Sequence, residues 1–154
     1  MEVVFREFRK TDLDAFFFLD QRCYAEPFRM QYNQLLRTLL DKDTVAMVIS
    51  MEEGEKPLGG GMILRAKHWE KRMDIISLMV DEPLRKLGLG SRLMKWAEKL
   101  AEDHRLADLS LVLEKENEPG RAFALKNGFE QTDIHEPFFP TPESGRLWLK
   151  RMTG

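Results

Sequence analysis

The chain has 154 residues, 32% of them charged, and a formal net charge of −2. That length suits one domain able to bury roughly two-thirds of its unfolded surface, and the near balance of charge gives no general attraction to nucleic acid or anionic membranes. The single cysteine, Cys23, excludes an internal disulfide and fits a reducing compartment.

The opening Met-Glu-Val-Val-Phe-Arg-Glu alternates as a strand over 2–8 and lacks the basic start and apolar run of a signal peptide. No apolar stretch approaches the roughly 20 residues that span a bilayer, so a cytoplasmic protein with no membrane contact is expected. Thr11, with Asp14 three residues on, reads as the N-cap of a helix reaching about Arg22, whose apolar face is Phe16-Phe17-Phe18-Leu19. After Pro27 a second helix is predicted over 31–40, with Leu35, Leu36, Leu39 and Leu40 on one side. Strands follow over 44–51 and 58–67, joined by a hairpin turn at Gly54 and Pro57. Gly59-Gly60-Gly61 inside a strand predicts a bulge or a neighbour passing close by.

A strand over 73–80 then leads to a helix from about Leu87 to His104. Its Leu89, Leu93, Trp96, Ala97 and Leu100 recur at helical spacing, while Arg92, Lys95, Lys99 and Glu102 face water. A strand over 109–114 completes a βαβ unit, which makes its two strands parallel. Pro119 opens another helix, Gly128 suits its C-terminal cap, and strands over 129–135 and 146–151 close the chain. With no repeats, low-complexity tracts or long linkers, residues 1–154 are expected to form a single domain.

The informative stretch is the turn between the strand ending at Val80 and the helix that follows, Arg85-Lys86-Leu87-Gly88-Leu89-Gly90-Ser91. The first N–H groups of a helix lack intrahelical partners and carry the positive end of its dipole. Glycine at 88 and 90 lets an anion approach those amides, and Arg85 and Lys86 add charge that suits a diphosphate. The spacing is neither a dinucleotide fingerprint nor a Walker A loop. Two glycines can also simply punctuate a strand-to-helix turn.

This segment resembles motif A of the GNAT acetyltransferase superfamily, Arg/Gln-x-x-Gly-x-Gly/Ala, with Val80 five positions before Arg85. A second family landmark is partly matched by Asn117, Gly120, Ala124 and Gly128-Phe129. The order β-α-α-β-β-β-α-β-α-β-β is also that of the family. The resemblance implies an α/β (α+β) fold: a mixed, mostly antiparallel seven-stranded sheet, with a central parallel splay between its fourth and fifth strands and about four helices. It further implies acetyl-CoA as co-substrate and no metal. The diphosphate would meet Arg85, Lys86, Leu87, Gly88, Leu89, Gly90 and Ser91, and the pantetheine arm would pair like an added strand with Leu78, Met79 and Val80. The Val80 amide would polarise the thioester carbonyl, and Asn117 would hydrogen-bond the arm. Asn117 also suits the N-cap of the helix after it.

Transfer to an amine needs a base for the nucleophile and an acid for the leaving thiolate. Here the sequence departs from the family. The position of the usual tyrosine acid is Ala124, and that of the glutamate of ribosomal-protein acetyltransferases is Val112. Asp74, on the same strand face as Ile76, Leu78 and Val80, and Glu114, on the face of Val112, remain as candidate bases, each of which could equally be a solvated strand-end carboxylate. Ser77 faces the other way and could only relay through water. By resemblance the acceptor would meet Tyr24, Glu26, Phe28 and Phe138 from the first inter-helix loop and the last hairpin. The acidic residues there suit a cationic acceptor, a small-molecule or peptide amine. The Phe138-Phe139 loop equally suits a contact in a homodimer. The reading is thus an N-acetyltransferase acting by direct attack in a ternary complex. A non-catalytic acyl-CoA-binding or regulatory module is the alternative that Ala124 keeps open.

Overall fold

The structure, a computed structural model, describes residues 3–24, 29–51, 58–135 and 145–152. Its strands are β1 (Val3–Glu7), β2 (Thr44–Met51), β3 (Gly60–Lys67), β4 (Arg72–Val80), β5 (Asp108–Glu114), β6 (Glu130–His135) and β7 (Gly145–Arg151). Its helices are α1 (Leu13–Cys23), α2 (Tyr32–Leu40), α3 (Leu89–Asp103) and α4 (Glu118–Lys126), with short 3₁₀ turns over 10–12, 68–70 and 82–84. The strands form one sheet in the order β1-β2-β3-β4-β5-β7-β6. β4 and β5 run parallel, whereas β1/β2, β2/β3, β5/β7 and β6/β7 are antiparallel. This is the mixed α/β sheet the sequence predicts. The expected Gly54–Pro57 turn lies outside the described residues.

Contacts gather the chain into two compact units, residues 1–65 with 76–93, and residues 66–75 with 94–154. In the first, Phe16, Leu19 and Leu35 meet Ala46, Val48, Leu58, Ile63 and Met79 in one apolar cluster. Each fully buried large side chain there contributes about 1.5–3 kcal/mol. The glycine run exists because neighbours pass close by. A Cβ on Gly61 would lie 2.6 Å from the Phe16 ring, and one on Gly60 would lie 2.8 Å from the Met79 carbonyl. Alanine at either position forces the packing apart.

The start of α1 differs from the expected Thr11 cap. Asp12 takes two hydrogen bonds from the Arg6 guanidinium, at 2.7 and 2.8 Å, and one from the Arg9 N–H at 2.7 Å. A bidentate charged pair outcompetes a threonine hydroxyl for this turn, and the Arg6 hydrogen bonds hold the Asp12 pKa below its ordinary value. The helix is entered through a 3₁₀ turn in consequence.

In the second unit β4 pairs with β5 only from Arg72↔Asp108 to Ile75↔Leu111, while β5 pairs with β7 along its whole length. Met73, Met94, Ala97, Ala101, Leu109, Leu111, Ala124, Phe129, Leu147 and Trp148 are buried there. The ladder between β6 and β7 shifts register between Gln131 and His135, where the Thr132 hydroxyl donates to the Leu147 carbonyl at 2.7 Å.

Candidate active site

Two hydrogen-bond facts fix how the end of β4 presents its backbone. The Asp81 N–H donates to the Gly59 carbonyl at 2.8 Å, and the Met79 carbonyl lies against Gly60, so residues 79 and 81 turn their main-chain groups toward β3. Strand alternation then turns those of Leu78 and Val80 to the opposite edge. Side chains on that edge bear this out. The Leu78 carbonyl accepts from the Tyr24 hydroxyl at 3.2 Å, and the Val80 carbonyl accepts from Arg85 Nε at 2.9 Å and from the Cys23 thiol at 3.7 Å. Of the three predicted arm-binding residues, Leu78 and Val80 offer main-chain groups on the free edge. Met79 turns its own to β3 and buries its side chain in the core.

The turn after β4 is built residue by residue. Asp81 accepts the Glu82 N–H at 3.1 Å and pairs with Arg22 at 3.3 Å, which neutralises a carboxylate beside the expected anion site. Pro83 sits in the 3₁₀ turn, and Leu84 plugs it into the core. Arg85 is extended at φ −70°, ψ 157°, and Lys86 follows at φ 67°, in the left-handed region that favours glycine. Lysine there costs about 1–3 kcal/mol, strain of the kind stored at ligand sites. Gly88 has φ 80°, and a Cβ on it would meet nothing within 4 Å. Space is therefore open above the glycine.

The first helical bond runs from the Arg92 N–H to the Gly88 carbonyl at 3.1 Å, so the amides of Leu89, Gly90 and Ser91 precede it and have no intrahelical acceptor. Helix α3 begins at Leu89 rather than Leu87 because the positive φ of Lys86 and Gly88 breaks the helical path. Arg85, Lys86, Leu87 and Gly88 are all exposed. Arg92 stacks its guanidinium 4.1 Å from the centre of the Phe5 ring, fixing the first turn of α3 against β1.

Tyr24 stands where α1 ends. Its phenol is half-buried and points back to the Leu78 carbonyl, and burial pushes its pKa above the ordinary value. Nearby, the buried Asp20 carboxylate accepts the Met30 N–H at 2.8 Å, Gln21 donates to the Met30 carbonyl at 3.1 Å, and Arg29 Nε donates to the Tyr24 carbonyl at 2.7 Å. Both ends of the segment from 24 to 30 are thereby pinned. Glu26, Phe28 and Phe138, expected to meet the acceptor, lie outside the described residues.

In the second unit Asp74 is 8% exposed and is gripped by three partners. Arg72 Nε lies at 2.6 Å, Lys67 Nζ at 3.1 Å, and the Ser110 hydroxyl, its cross-strand neighbour, donates at 2.5 Å. Burial alone would raise its pKa, but the bonds from Arg72, Ser110 and Lys67 outweigh it and bring the net shift down. Such a carboxylate is a poor proton acceptor and a good anchor for two cations. Glu114 is half-buried at the end of β5 and takes the Glu116 N–H at 2.9 Å. It lines a cavity of about 130 Å³ with Lys115, Arg121, Gln131, Arg146 and Trp148. Asn117 caps α4, its Oδ1 accepting the Gly120 N–H at 3.0 Å; a Cβ on Gly120 would lie 2.6 Å from that side chain. Ala124, which carries no hydroxyl, is fully buried.

His68 and His104 face each other with ring centres 6.1 Å apart, and among the described residues no group of three His, Cys, Asp or Glu is placed to hold a metal. Sequence reasoning missed both the grip on Asp74 and the bond from Tyr24 to β4. Lys67, the last residue of the strand expected over 58–67, and Ser110, opposite Asp74 in a parallel pair, were the available signals.

A family model described as the acetyltransferase (GNAT) family matches residues 7–129. No curated protein matches the chain. Among solved structures, Ard1 from Thermoplasma volcanium superposes with a TM-score of 0.83 at 17% identity, covering 100% of both chains. The ribosomal-protein-S18-alanine N-acetyltransferase of Escherichia coli gives 0.82 at 16% identity, covering 99% of this chain and 96% of that one. The PaiA N-acetyltransferase of Thermoplasma acidophilum, solved with coenzyme A, gives 0.78 at 19%, covering 98% and 99%. At these identities the likeness is one of fold.

Proposed function

The chain belongs to the GNAT acetyltransferase family, and from that premise we propose that it transfers an acetyl group from acetyl-CoA to a primary amine by direct attack in a ternary complex. The acceptor classes are a peptide N-terminus, a lysine or a small amine. The observation that carries the reading is the turn at 85–91, with open space above Gly88, three amides ahead of the first helical bond and two exposed cations. A diphosphate fits that set of donors by charge and by reach.

The free edge of β4 supports the rest. The N–H groups of Leu78 and Val80 share it, so an extended arm with two amides can pair there as an added strand, and one of these N–H groups can polarise the thioester carbonyl. The amine attacks that carbon, the C–N bond forms, and the C–S bond breaks with its electron pair passing to sulfur. Water or a carboxylate takes the amine proton. Asp74 serves this scheme by holding Lys67 and Arg72 rather than as the strongest base, and Glu114 is the less encumbered carboxylate.

A second reading, a non-catalytic acyl-CoA-binding module, draws on the buried Ala124 at the acid position. Thiol release from acetyl-CoA across a panel of amines and peptides separates the two, since the enzyme gives amine-dependent release and the module gives binding alone. Gly88→Val should weaken CoA binding at least tenfold in a titration, because it fills the space above the turn and strains a backbone at φ 80°. Unchanged affinity would remove the diphosphate from this turn.

A further inference from the structure

An acyl transfer that breaks a C–S bond leaves a thiolate, and a proton donor next to it lowers that barrier. The side chain at the family's usual position, Ala124, has no proton to give. In the first unit, however, one hydroxyl already reaches the strand edge assigned to the arm. Tyr24 Oη donates to the Leu78 carbonyl at 3.2 Å, and this carbonyl is the group on that edge immediately before the Val80 amide. A thioester whose carbonyl accepted from the Leu78 or Val80 N–H would lie along the same edge as that phenol.

Resting on the function proposed above, we infer that Tyr24 is the proton donor to the departing sulfur, the one phenol that the described residues bring to this edge of β4. Cys23 sits next to it as a weak S–H donor on the Val80 carbonyl at 3.7 Å, and Arg85 holds the same oxygen at 2.9 Å as a cation that does not give up its proton; the phenol, like the thiol, leaves its own carbonyl partner to reach sulfur. When the C–S bond breaks, its electron pair goes to sulfur and the phenol O–H proton follows, giving the free thiol of CoA and a phenolate. The phenolate regains a proton from water, to which the ammonium nitrogen has released one, so the net reaction is thioester plus amine to amide plus thiol.

Three features prepare the group. Tyr24 closes α1 at a residue in extended conformation, with its carbonyl fixed by Arg29, so the ring is held from both sides of the chain. The Ser77 hydroxyl, buried and without a partner of ordinary hydrogen-bond geometry, lies beside the phenol and favours the phenolate as it forms. Burial raises the pKa of the phenol, which holds its proton in place and makes it a weaker acid, so it is the Ser77 hydroxyl that eases its release.

The test uses Tyr24→Phe, which keeps the ring and removes only the hydroxyl. Its kcat should fall about 100-fold while KM for acetyl-CoA moves less than about threefold, the loss expected of a general acid. An acceptor-independent measurement accompanies it. The wild-type protein should bind CoA several-fold more tightly than desulfo-CoA, because the phenol meets the sulfur, and Tyr24→Phe should bind the two alike. A variant with kcat within twofold of wild type, or with the discrimination against desulfo-CoA intact, overturns the inference. Failure of the underlying function looks different, since wild-type protein would then release no thiol with any amine.

Discussion

Two aspartates, one in each unit, are almost equally hidden and behave in opposite ways. Asp20 on α1 is 2% exposed and Asp74 on β4 is 8% exposed. Burial raises the pKa of Asp20, whose closest partners are a main-chain N–H and an amide side chain, whereas Arg72, Ser110 and Lys67 bring that of Asp74 down. Burial therefore does not decide what a carboxylate does. The charge and number of its donors decide, and the result is a tether in one unit and an ion-pair hub in the other.

The largest way to break this contrast is Asp74→Asn. It leaves Arg72 and Lys67 facing a neutral amide in a buried site, and stability should fall by about 2–3 kcal/mol, read as a lower urea midpoint at unchanged slope. The same change at the other aspartate should do little. Asp20→Asn keeps an oxygen for the Met30 N–H and removes a buried charge, so its midpoint should stay within about 0.5 kcal/mol of wild type, while Asp20→Ala orphans that N–H and should cost about 1–2 kcal/mol. A destabilised Asp20→Asn would show that its charge, not its geometry, holds Met30.

Acidity gives a finer separation. The folded pKa of Asp74 lies below its unfolded value of about 3.9, so its contribution is present above that pH and is lost as pH falls through the folded value. Asp20 has a raised folded pKa, so the folded state holds its proton longer, and stability declines as pH rises from about 3.9 through the folded value. Urea unfolding followed across this range should therefore lose its acid-side rise in Asp74→Asn below about pH 4 and lose the decline with rising pH in Asp20→Asn above it. Parallel curves for both variants would abolish the distinction.

The sequence made the α/β order, the parallel β4/β5 pair and the turn at 85–91 legible because each has a local signature: helical spacing in Leu89, Leu93 and Ala97, a βαβ length, and glycines at 88 and 90. The close contacts at Gly60 and Gly61 meet one of the two readings that three glycines in a strand offer, a bulge or a neighbour passing close by. What escaped it depends on residues far apart in the chain. The partners of Asp74 come from β3, β4 and β5, and the phenol of Tyr24 finds a carbonyl 54 positions away. The cap at Asp12 escaped for a smaller reason. Threonine is a common cap, and only the reach of Arg6 from β1 makes the aspartate win.

The broken register on β6 has one more consequence. β6 is the outermost strand of its side of the sheet, and outer strands offer open donors and acceptors to any stray extended chain. Between Gln131 and His135 the ladder is irregular, the Ile134 N–H is taken by the Thr132 hydroxyl at 3.1 Å, and the exposed Glu130 before the kink and Asp133 within it add negative charge. A foreign strand laid along this rim would meet repulsion and mismatched spacing within a few residues. Fibrillar stacking through this border is thereby discouraged.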